Sequence, residues 1–131
     1  MHSYMKKLSL LTISVLIIGA FRADAQSLHN TAWKTYITSL NDTLTLHIGG
    51  DTSFVTVSTG DVVVRSIFQA SGDTLSMSDF DGQYACQNGA GKYKYTVKED
   101  KLTMKMITDP CDGRGTAIDG IVWDRAKISK N

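Results

Sequence analysis

From Thr31 onward the chain alternates apolar and polar residues in short runs, with turn signals every 8 to 12 residues. A two-residue period puts one whole face of an extended strand in apolar surroundings, so this pattern specifies β-structure and little else. Residues 92–98 show it without exception, with Tyr93, Tyr95 and Val97 on one face and lysines and Thr96 on the other. Residues 44–48 alternate in the same way. Gly49-Gly50-Asp51-Thr52 then turns the chain into 54–58, Thr59-Gly60-Asp61 into 62–69, and Ser71-Gly72-Asp73 into 74–78. Asp81-Gly82 and Asn88-Gly89-Ala90-Gly91 flank a short segment at 83–86. Residues 102–108 place Leu102, Met104 and Met106 on one face, and a last strand is expected over 118–125. No stretch sustains a helical period, and the only proline, Pro110, falls between strands.

Strands joined by tight turns pair with their sequence neighbours and give an up-and-down meander. One apolar face per strand has to be buried, and closing the sheet on itself buries it while removing unpaired edges. Eight or so strands in a domain of this length suit a small antiparallel β-barrel. A two-sheet sandwich is the alternative.

The N-terminus reads differently. Lys6 and Lys7 precede an apolar run from Leu8 to Phe21, and Ala23-Asp24-Ala25 is a small-x-small cleavage site before Gln26. Residues 1–25 are therefore expected to be a cleavable signal peptide and 26–131 a single exported domain, secreted or periplasmic. The apolar run is shorter than the roughly 20 residues a membrane span needs, and no cysteine stands at the cleavage point for a lipid anchor. Loss of the signal changes the formal charge from +1 to about −1. Charges are scattered, so no basic stripe points to nucleic acid and no acidic tail to a basic partner.

Cys86 and Cys111 both fall in the exported part, where two cysteines usually pair. Cys86 precedes the strand at 92–98 and Cys111 follows the strand at 102–108, so a hairpin of these two strands brings the cysteines together. In the chain-entropy model such a loop closure stabilises by about 3 kcal/mol.

Several motifs give the chain a resemblance. Asn30-Thr31-Ala32-Trp33, Gly91-Lys92-Tyr93, Leu102, Asp109-Pro110-Cys111-Asp112-Gly113-Arg114 and Gly120-Ile121-Val122-Trp123 are similar to the tryptophan start and the Gly-x-Tyr, Asp-x-Cys-x-x-Arg and Gly-x-x-Trp pattern of small lipocalin-like domains of secreted Bacteroidetes proteins, in the calycin group. The Ala25-Gln26 signal ending is also similar to that phylum's. The match covers almost the whole exported domain, with one departure: Asn30 or Thr31 replaces the family's first glycine. The resemblance implies an eight-stranded barrel in which a late arginine packs over the first tryptophan. This arginine is carried over as Arg114 on Trp33, with Arg125 as the second choice, and Trp123 completes the structural motif. Such a cation–π contact would close the barrel's blind end. META-type stress domains, also small exported barrels with a tryptophan start, are the rival at the level of fold.

The chemistry on offer is sparse. His29 and His47 are the only histidines past the signal, and both are expected at the surface. The aspartates sit at turns, which favour Asp and Gly for backbone reasons; Asp79-Phe80-Asp81-Gly82 lacks the remaining ligands of a calcium loop. No nucleophile elbow, zinc-helix or phosphate-loop motif is present, so no catalytic residue, metal or cofactor is assigned and an enzyme has no residues to recommend it. Arg65 is an inward cation if Val63 and Ile67 face in, and a surface charge if Val62, Val64 and Phe68 do. The second face carries more apolar bulk. The apolar stripes Leu44, Leu46, Phe54, Leu75, Met77, Tyr93, Tyr95, Met104 and Met106 either line a cavity for a small hydrophobic ligand or fill the barrel. Eight strands permit both. The two functional expectations are accordingly a binder of a small apolar or amphipathic molecule and a filled barrel serving as an interaction module of the cell envelope.

Overall fold

The computed structural model describes residues 27–128; the expected signal peptide and its cleavage site lie outside them. Eight antiparallel strands close into one barrel in sequence order. They are β1 (Thr31–Ile37), β2 (Asp42–Ile48), β3 (Thr52–Thr56), β4 (Val62–Ser71), β5 (Thr74–Asp81), β6 (Gly91–Lys98), β7 (Lys101–Thr108) and β8 (Val122–Ala126). The meander expected from the alternation is what forms, and the barrel closes where β1 pairs with β8, Trp33 opposite Arg125. A short helix, α1 (Asp112–Ile118), joins β7 to β8.

Two expectations need correction here. Residues 83–86 form no strand but part of a loop between β5 and β6, because Gly82 and Gly89 adopt positive φ and turn the chain away from the sheet. Residues 118–121 belong to the end of α1 and its exit, so the last strand starts at Val122. Asp119 and Gly120 partly replace the strand: Gly120 donates its backbone N–H to the Met104 carbonyl, and Asp119 Oδ1 accepts from the Met106 N–H. At seven residues α1 is too short for helical periodicity to show in the sequence.

The two ends of the barrel differ. At one end lie the turns after β2, β4 and β6 and the N-terminal segment. That half is packed solid by Leu28, Trp33, Ile48, Phe68, Leu75, Tyr95 and Leu102. The indole N–H of Trp33 donates to Thr31 Oγ1, and the Arg125 guanidinium sits 4.6 Å from the Trp33 ring centroid. Arg125 in turn donates from Nε to Asp100 Oδ1 at 2.9 Å. The cation on the first tryptophan is thus Arg125 and not Arg114. The strand register decides it: β8 runs beside β1 and sets residue 125 opposite residue 33, whereas Arg114 leaves from α1 at the other end.

That other end carries the turns after β1 and β3, the loop after β5 and the whole β7–α1–β8 connection. The three register shifts in the sheet all lie in this half, at Val55/Thr56, Arg65/Ser66 and Lys92/Tyr93. A bulge re-aims the residues on either side of it. Between Val63 and Ser66 it changes the phase of β4, so that Val63, Ser66 and Phe68 are all buried while Arg65 is exposed. Arg65 is therefore the surface charge of the second reading, and the break in alternation adds Val63 to the buried face.

The plug at the packed end yields a prediction. Arg125→Met should lower stability by about 1 kcal/mol, the size of a partly exposed cation–π contact. It should appear as a lower urea midpoint at unchanged slope. An unchanged midpoint would mean the ring needs no cation.

Candidate functional site

Above the packed half the barrel is hollow. A cavity of about 1010 Å³ opens at the end that carries α1. Its deeper wall is apolar, built from Leu44, Leu46, Val55, Val63, Met77, Met104 and Trp123, with Tyr36, Leu40 and Tyr84 near the mouth. The last three are substantially exposed.

The sequence-predicted lining divides accordingly. Leu44, Leu46, Met77 and Met104 face the cavity. Leu75, Tyr93 and Tyr95 are buried but belong to the packed core. Phe54 is not on the inner wall. Ser53 and Val55 take the inward positions of β3, and Phe54 stacks outside on His47 with ring centroids 4.4 Å apart. Met106 is likewise displaced and 39% exposed. The register shift opposite Lys92/Tyr93 turns it toward α1, where a methyl group added at Gly115 would lie 2.6 Å from its Cε. His47 lies outside too, its Nε2 3.0 Å from Thr56 Oγ1, and burial against Phe54 pushes its pKa down.

One wall of the cavity is a loop rather than a strand, and a buried ion network holds it. The Arg114 side chain, 8% exposed, reaches from α1 to Asp109 and Asp79, which are 0% and 3% exposed. Its Nε donates to Asp109 Oδ2 at 2.9 Å and its Nη2 to Asp109 Oδ1 at 2.8 Å, a bidentate fork. Nη2 also donates to the Gly89 carbonyl at 2.7 Å and Nη1 to the Cys86 carbonyl at 3.4 Å. Nη1 stands 3.3 Å from Asp79 Oδ2. The guanidinium thus makes four hydrogen bonds and one further ion-pair contact within the protein.

The carboxylates are as fully engaged. Asp79 accepts from Ser66 Oγ at 2.7 Å and from the Cys86 N–H at 2.9 Å. Asp109 accepts from the Tyr93 hydroxyl and the Cys111 N–H. Burial alone would raise the Asp109 pKa; the bonds from Arg114, Tyr93 and Cys111 prevail and hold it below the usual carboxylate range. Burial and the neighbouring Asp109 push the Tyr93 hydroxyl well above its ordinary pKa, so it stays a donor. The Cys86–Cys111 disulfide, expected from the hairpin, forms beside this network with Cα atoms 6.2 Å apart.

The sequence reading paired the cysteines but placed Asp79 and Asp109 in turns and Arg114 at the wrong end. The signal was within reach: once Cys86 meets Cys111, Arg114 and Asp109 are at most three residues from the contact. Asp79 and Asp81 do not converge on a cation, because Asp81 instead pairs outside with Arg65 at 3.7 Å. Among the described residues no group of three or more His, Cys, Asp or Glu side chains is placed to hold a metal ion. Comparison with protein-family models, with characterised proteins and with solved structures finds no match to the chain.

The network makes two predictions. A Cβ at Gly91 would fall on the Asp109 carboxylate and 3.0 Å from Arg114 Nε, whereas at Gly113 nothing stands within 4 Å. Gly91→Ala should therefore cost about 2 kcal/mol or more, while Gly113→Ala, in the first turn of α1, should be neutral or stabilising by up to about 1 kcal/mol. Equal effects in chemical denaturation would refute the clamp. Second, a carboxylate whose pKa is lowered by folding adds stability that is present above its unfolded pKa and lost as pH falls through the folded value. Unfolding free energy should hold down to about pH 4 and then decline, with a shallower acid limb in Asp109→Asn.

Proposed function

We propose that this protein is an exported, lipocalin-like binder that holds a small apolar or amphipathic molecule in the hollow half of its barrel. The observation that carries this reading is the cavity of about 1010 Å³, open at one end only and apolar in its depth. Its volume lies at the upper end of the range of small-molecule sites, which are concave, mostly apolar and largely preformed. Met77 and Met104 on its wall are side chains that adapt to ligands of irregular shape. The signal-like N-terminus and the calycin-like motifs support export and kinship. A filled barrel acting only through its surface accounts for the packed half but gives the hollow half no purpose.

Two measurements test the reading. Native mass spectrometry of residues 26–131, produced with the native leader and purified without detergent, should show a reproducible extra mass that disappears on denaturation. Purified protein should also bind one equivalent of 1-aminoanthracene, an uncharged apolar fluorophore. Val55→Trp, which projects an indole into the cavity, should weaken this binding about tenfold or more while leaving the fold intact. A wild-type protein that carries no extra mass and ignores the probe would overturn the proposal.

A further inference from the structure

We infer that the cavity discriminates by charge, taking uncharged or cationic amphiphiles and excluding carboxylates and other anions; the inference rests on the binding function just proposed. Among the described residues only three charged ones line the cavity: Asp79, Asp112 and Arg114. Arg114 is the lone cation among them, and an anionic head group has nothing to gain from it. Its four hydrogen bonds already go to Asp109 and to the carbonyls of Cys86 and Gly89, and Nη1 is also ion-paired with Asp79 at 3.3 Å. Its charge is outweighed as well, since Asp79 and Asp109 are both buried against it and Asp112 stands exposed in the first turn of α1. Among the described residues no lysine lines the cavity. Lys92, Lys94 and Lys98 alternate with the buried tyrosines of β6 and stand in solvent outside the barrel.

An anion entering this site would give up its hydration for an apolar wall and a net negative rim, with only neutral donors and no free cation in return. An uncharged hydroxyl or carbonyl head loses far less and finds neutral hydroxyls on the wall, at Ser53, Thr116 and Tyr84. A cationic head at the mouth meets Asp112. The charge pattern therefore narrows the ligand class beyond what volume and apolarity alone specify.

The test keeps the tail constant and changes the head. Decanol, decyltrimethylammonium and decanoate are titrated into the wild-type protein by calorimetry at neutral pH and low salt. Decanol and decyltrimethylammonium should bind about tenfold or more tightly than decanoate. Asp112→Lys, on the open face of α1, should raise decanoate affinity several-fold and leave decanol unchanged. Decanoate binding as well as decanol to the wild type would overturn the charge inference while upholding the cavity as a binding site. Failure of all three to bind, together with 1-aminoanthracene, would overturn the binding function itself and this inference with it.

Discussion

Everything at the open end depends on the Arg114 guanidinium being buried among partners of its own chain. A buried charge is tolerable only when partners fill its hydrogen-bonding positions, and removing one partner of such a pair costs about 3–5 kcal/mol. Here the partners come from separate parts of the chain. Asp79 is in β5, the Cys86 and Gly89 carbonyls are in the loop that follows, Asp109 is just beyond β7, and Arg114 itself is in α1. One side chain thus ties a long loop and a helix to two strands. The disulfide beside it adds a covalent tie between the same two connections.

This arrangement explains how half a small barrel can stay hollow. In the packed half, apolar side chains meet across the interior and hold opposite walls together. In the open half about 1010 Å³ is left unfilled, so bonds within the wall help to resist collapse onto the space. The ion network and the disulfide supply them along one side. The bulges contribute by geometry near the mouth, since the one opposite Val55/Thr56 sets both Val63 and Val64 on the cavity wall and the one at Lys92/Tyr93 turns Met106 away from the interior. Stability is concentrated at the Trp33–Arg125 end, and space at the other.

The same division decides how much of the molecule was legible beforehand. Strict alternation in β2 and β6 translates directly into inward and outward faces, and the meander and its closure follow from tight turns and from the need to bury one face. The disulfide followed from the hairpin. What failed did so for local reasons. Met106 lies beside the register shift at Lys92/Tyr93, where a one-residue slip moves a side chain to the opposite face. Phe54 sits in unbroken register opposite His47 on the outer face of β3, while Ser53 and Val55 take the inner one. Arg114 was misassigned for another reason. An arginine's partner is fixed by the register of the final strand, and α1, which displaces that strand by several residues, leaves no periodic trace in seven positions.

The network that stiffens the rim also sets the chemistry of the space it encloses. An arginine beside a pocket ordinarily reads as an anion site, since its fork matches carboxylate and phosphate. That reading requires N–H groups free to face the ligand. Here the fork is occupied by Asp109, two carbonyls accept further bonds, and Asp79 is ion-paired with Nη1. The polar groups left on the wall are mostly neutral. Structural demand on Arg114 and ligand preference are therefore one constraint: whatever frees this guanidinium to receive an anion must also release the loop that forms the wall.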